Sequence, residues 1–272
     1  MTLKYLKNES TTTTSKQTIF SKMLNSQLLS KVIESQPFPL LFLTISGAHL
    51  YGFPSQDSDC DLRGIHVLPV GKVLGMYPVR ETIEVLETEA GTEIDLVTHD
   101  LKKFFTLLLK RNGYVLEQLY SPLIIKTTPE HRRLKKIAVN CITRHHYHHY
   151  RGFASNQWQL FTKENTYRIK PLLYIYRVLL TGIYLMNTGK IESNLITLNQ
   201  EFGLPYIEEL VAKKLSESEK TTLDTVDIEF YQQEYQRLQG KLEQAFNNSN
   251  LPDEPSAKPE LNSLLIEIRK IR

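Results

Sequence analysis

Two cysteines in 272 residues, Cys60 and Cys141, exclude a disulfide-stapled framework, and their separation excludes a paired-cysteine zinc motif. A structural free thiol is the expectation at each. Long apolar runs are missing too. No stretch approaches the roughly 18 residues that cross a bilayer, and the N-terminus lacks the basic-then-apolar order of a secretory signal. A cytoplasmic protein without membrane contact is therefore expected. The Gly-x-x-x-x-Gly-Lys-Ser/Thr loop, the Gly-x-Gly-x-x-Gly turn and the Gly-x-Ser-x-Gly elbow are all absent, which disfavours a P-loop ATPase, a dinucleotide oxidoreductase and an α/β-hydrolase. A large charge of either sign is absent as well. Lys and Arg number 33 against 30 Asp and Glu, and a net charge of +3 is too small to demand a nucleic-acid partner. With 41% hydrophobic and 23% charged residues, the composition is that of a globular chain long enough for two moderate cores.

What the chain does contain is concentrated between Ser46 and Gly64, where Asp59-x-Asp61 follows a glycine-punctuated stretch. Aspartates at i and i+2 on a strand project side by side, where they repel one another and resist desolvation. A hard divalent cation compensates such a pair, and Mg²⁺ typically bridges carboxylates and substrate phosphates. Two-metal phosphoryl transfer needs a further acid. Thr92 to Val97 alternates polar and apolar, with Ile94 and Leu96 opposite Asp95. Asp95 is the natural third ligand, with Glu93 on the same face as the substitute.

These residues resemble the DNA polymerase β superfamily of nucleotidyltransferases. Its mark is an apolar strand (here Leu40–Ile45), a glycine turn opening a helix (Gly47-Ala48), Asp-x-Asp some ten residues on, and a third Asp on a later strand. The string Gly47-x-His49-x-Tyr51-Gly52 with Ser58-Asp59-x-Asp61-Leu62-Arg63-Gly64 is similar to one branch, the RNA-repair-pathway DNA polymerase β family. The likeness is strongest over residues 38–120 and continues through Lys170, Tyr174, Arg177 and Leu180-Thr181-Gly182. It implies an α+β fold in which a polymerase-β-like mixed sheet with helices precedes an all-helical C-terminal domain. It also implies transfer of a nucleoside monophosphate from an NTP to a hydroxyl, with Mg²⁺ or Mn²⁺ held by Asp59, Asp61 and Asp95. Ser46, Gly47, Ala48 and Ser58 would meet the phosphates, with Arg63, Lys170, Tyr174 and Arg177 contributing charge and contacts. The acceptor implied is an RNA end. A protein or small-molecule acceptor, or a non-catalytic nucleotide-binding or antitoxin-like module, are the alternatives. Ala48 is the departure: the family usually has serine there, so a hydroxyl at the β/γ-phosphates is lost, and Ser46, Ser55, Ser58 or backbone N–H groups would have to replace it.

The pattern divides the chain into a catalytic part over residues 18–125, a helical nucleotide- and substrate-binding part over 126–248, and a linker with an amphipathic helix over 249–272. Residues 1–17, with threonine at 11–14, read as disordered. A helix is predicted from Phe20 to Ile33. Strands are predicted at Leu40–Ile45, Asp61–Leu68, Glu81–Leu86 and Glu93–Val97. Helices follow at His99–Arg111 and Tyr114–Tyr120, then Glu130–Cys141, Arg144–Thr162, Pro171–Asn187, Tyr206–Leu215 and Ile228–Asn247. Pro171 suits the first helical position and Gly189 a C-terminal stop. Leu261, Leu264, Leu265, Ile268 and Ile271 form an apolar stripe that must dock, on the chain's own body in preference to a protein partner.

Three other constellations have competing readings. His145, His146, His148 and His149 suit zinc, the Arg-x4-His pattern of helical ribonucleases, RNA contact, or plain helix-surface histidines; the last is preferred because no third zinc ligand is identifiable. Phe153, Trp158, Phe161 and Tyr167 would stack bases or, as preferred, fill the core. Lys102, Lys103, Lys110 and Arg111, the run His131-Arg132-Arg133-Leu134-Lys135-Lys136, and Arg144 and Arg151 would receive a phosphate backbone, with Lys135, Lys136, Arg144 and Arg151 as its path, or, as preferred, form a solvated face.

Overall fold

The computed structural model describes residues 27–271 except 56, 90–91, 164–166, 217–221 and 224–226. The expected disordered segment 1–17, and the start of the helix predicted from Phe20, lie outside the described residues. Helix α1 (Gln27–Glu34) is the remainder of that helix. After Pro37 and Pro39, the apolar run β1 (Leu40–Ile45) is buried along its whole length. Strand β2 (Cys60–His66) pairs with it antiparallel, and β4 (Thr92–Asp100) lies parallel to β2 on the other side. β3 (Thr82–Glu89) joins β4 as an antiparallel edge, and the short β5 (Ile124–Lys126) adds to β1, giving the order β3-β4-β2-β1-β5. Alternation sorts the side chains. Cys60, Leu62, Ile94 and Leu96 point to one face, where they pack with Leu43, Ile45 and with Leu29 and Val32 of α1. Asp61, Arg63 and Asp95 therefore emerge on the other face.

That other face receives the helices. They are α2 (Gly47–Tyr51), α3 (Val70–Leu74), α4 (Leu101–Leu109), α5 (Gly113–Tyr120), α6 (Pro129–Ala138) with a 3-10 turn at Val139–Cys141, α7 (His146–Lys163), α8 (Ile169–Thr188), α9 (Leu195–Phe202), α10 (Pro205–Ser216), α11 (Ile228–Asn248) and α12 (Lys258–Ile271). α3, α9 and β5 carry too few periodic residues to be read from sequence. α8 is the axle, packed against α7, α9, α10 and α11. It is long and apolar enough to cross a membrane by length and composition, which corrects the expectation that no segment is. Lys170 and Arg177 interrupt the run, so an inspection for unbroken apolar sequence passes over it. The helix is buried inside the fold. It begins at Ile169, so Pro171 is its third residue, not its first; the position still lies in the turn whose N–H groups lack intrahelical partners. Gly189 ends the helix in the left-handed region at φ 68°.

One core runs from Leu41 and Phe42 of β1 through the helices to Leu261, Leu264 and Ile268 of α12. The final amphipathic helix thus docks on the chain's own body. Arg269 secures it, donating to the Asp100 carboxylate at 2.6 Å and to the Leu68 carbonyl. Both cysteines are free and buried, and burial pushes their thiols up to about 12, so they stay protonated.

Burial also holds three interior imidazoles, His66, His131 and His146, down at about 4 against an ordinary 6.5. They are neutral in the fold and protonate more readily once unfolded. The unfolded chain therefore binds more protons between those values, and stability falls as pH drops through that window. The thermal midpoint is expected to decline steadily from about pH 6.5 toward pH 4. A flat profile across that range in differential scanning calorimetry would contradict the neutral, buried state of these rings.

Candidate active site

Parallel pairing of β2 with β4 places Asp61 opposite Asp95 in register. Two carboxylates side by side on a half-buried face would repel, and Arg63, two residues further along β2, answers that. One guanidinium nitrogen donates to Asp61 Oδ1 at 2.7 Å and to Asp95 Oδ2 at 2.8 Å. The other terminal nitrogen donates to the Leu62 and Asp95 carbonyls, and Nε donates to the Tyr114 hydroxyl of α5 at 3.0 Å. Burial works against this charge, yet Tyr114 and the two carboxylates hold the Arg63 pKa above its ordinary value. Arg63 is therefore a fixed cation that orients two acids, with one oxygen of each outside its grip. Asp59 lies just before β2 begins and is exposed.

The glycine turn meets this pair directly. Ser46 N–H donates to the Asp61 carbonyl at 2.8 Å, and Gly47 opens α2 at φ 59°. A Cβ at Gly47 would lie 1.8 Å from Asp61 Oδ2, so glycine is required both by the backbone and by the close approach of the carboxylate. The Ser46 hydroxyl is buried with no hydrogen-bond partner among the described residues, and Ala48 is buried beside it. Ser58 bonds Ser55 hydroxyl to hydroxyl at 2.9 Å, and Ser55 accepts from Lys214 Nζ at 3.0 Å. Lys214, a buried cation delivered by α10 to the turn that precedes Asp59, was not legible beforehand. It sits 153 residues from Asp61 in a charged surface-helix pattern, and nothing local in the sequence marks it as turned inward.

The three α8 candidates separate. Tyr174 packs its ring edge-on against Tyr51 and Phe53, at 5.5 and 5.6 Å between centroids, joining α8 to the glycine-turn helix. Lys170 is half-buried in the first turn. Arg177 is 2% exposed, donates to Glu117 of α5 at 2.6 Å and lies 3.9 Å from the Tyr51 ring centroid. This corrects the expectation of a phosphate contact from Arg177: its cation is committed to Glu117 inside the core. Burial drives the Glu117 carboxyl upward, while Arg177 opposes that rise. Among the preferred aromatic readings, Phe161 is in the core, with Phe153, Trp158 and Tyr167 packed against it. Arg144 pairs with Asp253 at 2.5 Å, Arg151 lies over Tyr147, and Lys135 over Tyr120.

Whether these residues suit a divalent cation is a matter of donor chemistry. No three acidic, histidine or cysteine side chains converge to hold a metal among the described residues. Asp61 and Asp95 do converge, with oxygen-only donors of the kind Mg²⁺ prefers. The bare Gly47 leaves room at Asp61 Oδ2, the orphaned Ser46 hydroxyl lies in the same turn, and Asp59 stands at the strand's entrance. The set fits a hard cation in kind, supplied by Asp61 and Asp95 with Asp59 next to them in the chain. Zinc at the histidines has no such support.

A family model described as the RNA repair pathway DNA polymerase beta family matches residues 22–267. An uncharacterized protein of Methanocaldococcus jannaschii is 33% identical over 233 residues, covering 82% of this chain and 91% of that protein. An uncharacterized protein of Bacillus subtilis is 26% identical over 199 residues, 72% of each. Among solved structures, a nucleotidyltransferase-like protein from Exiguobacterium sibiricum aligns over 95% of this chain and 80% of its own, at 16% identity and a TM-score of 0.29.

The Gly47 contact has a direct consequence. Gly47→Ala forces a Cβ into the Asp61 carboxylate and places alanine in the left-handed region, which alone costs roughly 1–2 kcal/mol. Loss of at least that much stability in urea unfolding is expected. So is loss of any activity that depends on Asp61. A variant as stable as the parent would show that the turn and the carboxylate are not in contact.

Proposed function

This chain belongs to the RNA-repair-pathway DNA polymerase β family, and from that premise we propose that it transfers a nucleoside monophosphate from an NTP to the hydroxyl of an RNA end. The observation that carries the reading is the register pair Asp61–Asp95, held parallel by Arg63 and faced by the Gly47 turn. In this reading Asp61 and Asp95, with Asp59 adjacent in the chain, would hold Mg²⁺ or Mn²⁺, which when bound would neutralise the triphosphate and sharpen the acceptor oxygen as a nucleophile. The acceptor oxygen bonds to the α-phosphorus, the bridge from the α- to the β-phosphate breaks, and pyrophosphate leaves. Asp95 takes the acceptor's proton and passes it to solvent. The Ser46–Ala48 backbone and Ser58 receive the β- and γ-phosphates, while Lys170 and Tyr174 approach the nucleotide from α8.

Residues 18–125 would supply the chemistry, residues 126–248 would hold nucleotide and acceptor, and the protein would work in the cytoplasm. With Arg177 committed to the core, the positive charge facing the leaving pyrophosphate falls to Lys170, with Lys214 behind the Ser55–Ser58 turn.

Incubation with each α-labelled NTP, Mg²⁺ or Mn²⁺ and cellular extract tests the reading, the label being followed into RNA, protein and small-molecule fractions. RNA labelling is expected from the parent. Asp61→Asn removes a charge at almost constant volume, so it should abolish labelling, at least about a hundredfold by analogy with loss of a key electrostatic group, with little change in fold. Full activity in that variant would remove the carboxylate mechanism. Label in the protein fraction alone would move the acceptor away from RNA.

A further inference from the structure

A cavity of about 640 Å³ opens where the turn between α4 and α5 faces the start of α7. Lys110, Arg111 and Asn112 form one wall, and His145, His148 and His149 the other. We propose that this groove binds single-stranded RNA, its cations taking phosphates and its stacked imidazoles taking base faces, with Asp253 and Glu254 occupying the cationic positions when RNA is absent. The purpose assigned to the groove, holding the acceptor, rests on the reading above; the binding itself does not.

The groove's chemistry is that of a polynucleotide path. Arg111 and neighbouring Arg144 present guanidinium groups, and Lys110 is exposed at the edge. His145 and His148 stack at 5.6 Å between centroids and 7° between planes, with Phe246 against both rings and Arg144 over Phe246. Cations interleaved with stacked rings suit unpaired bases on a phosphate backbone, and the volume far exceeds that of one phosphate. In the chain as it stands, the linker between α11 and α12 folds over these cations. Glu254 pairs with Arg111 at 2.6 Å, while Asp253 pairs with Arg144 at 2.5 Å and meets His145 at 3.3 Å. These are carboxylates where phosphates would sit. Both are mostly exposed, at 79% and 59%, so a polyanion can replace them without opening the core.

Arg111 itself points to a ligand role. It is the non-glycine residue with positive φ among those described, at 62°, a conformation that glycine or asparagine adopts at lower cost. That costly backbone places the Arg111 side chain on the groove wall. The walls are fixed: Asn112 caps α5 by accepting from Tyr114 and Val115 N–H groups, and Gly113 lets α5 touch His149 and Tyr150 of α7 directly. Tyr114, two residues from Asn112, is the same residue that accepts from Arg63. The groove and the acid pair thus share one short stretch of chain.

The test measures binding of a fluorescent single-stranded oligoribonucleotide by anisotropy across a salt series, with no NTP present. Arg111→Gly should weaken binding several-fold and flatten the log–log salt slope by about 0.7, the share of one phosphate contact on a single strand. Its thermal midpoint should stay level or rise, because glycine relaxes the backbone there. Lys110→Ala and His148→Ala, both at exposed positions, should weaken binding as well, whereas Lys72→Ala on α3 should not. Asp253→Asn with Glu254→Gln should tighten it. Unchanged binding in Arg111→Gly and in Lys110→Ala, or equal loss in Lys72→Ala, would overturn the groove. Asp61→Asn protein that binds the oligoribonucleotide as the parent does but transfers nothing would leave the groove standing and confine any failure to the chemistry.

Discussion

The buried ion pair of Arg177 and Glu117 is the contact on which the arrangement of the site depends. Its two partners come from α8 and α5, and the guanidinium carbon lies 3.9 Å from the Tyr51 ring centroid of α2. The axle of the helical part, the helix that holds Tyr114, and the helix opened by Gly47 are thereby tied at one point with almost no water. Removing one partner of such a pair strands the other charge, at a cost of about 3–5 kcal/mol. An apolar pair of the same volume can pack as tightly, but it would not fix three helices in direction. What charge contributes here is geometry.

A second charge arrangement sits in front of the first and works by the opposite logic. Arg63 stays between two acids at the surface of the sheet, satisfied at every nitrogen while contacting one carboxylate oxygen of each acid. The core pair is shut away from solvent, whereas the acids of this one remain open to it. The Gly47 turn, lacking a side chain, keeps hydrocarbon away from Asp61 Oδ2. The two networks meet in α5, where Tyr114 serves Arg63 and Glu117 serves Arg177.

Much of this was legible in the chain, for reasons that differ by element. That Asp61 and Asp95 share one face follows from alternation, since Cys60, Leu62, Ile94 and Leu96 must all face the apolar side for either strand to be stable. The amphipathic α12 announced itself by spacing, and its stripe found the core. Arg177 misled because a cation at i+7 from Lys170 looks like a neighbour on one helix face. Only the tertiary position of Glu117, 60 residues earlier, turns it inward. Lys214 was illegible for the same reason, as were the Asp253 and Glu254 pairings, which join segments more than 100 residues apart. Patterns within one element are written locally; the choice between solvent and interior for a long charged side chain is not.

The parallel pairing of β2 with β4 makes the acid pair indifferent to what lies between its members. The connection runs out through α3, returns along edge strand β3, and reaches β4 with the register set by apolar residues on the far face. Lengthening that excursion, or exchanging α3 for another surface segment, leaves Asp61 and Asp95 opposite one another. Deleting one residue inside β2 turns its carboxylate into the apolar layer and brings a thiol to the surface. The site is thus brittle along the strand and plastic across the loop, which leaves residues 69–80 as the stretch whose length can change without losing the acids.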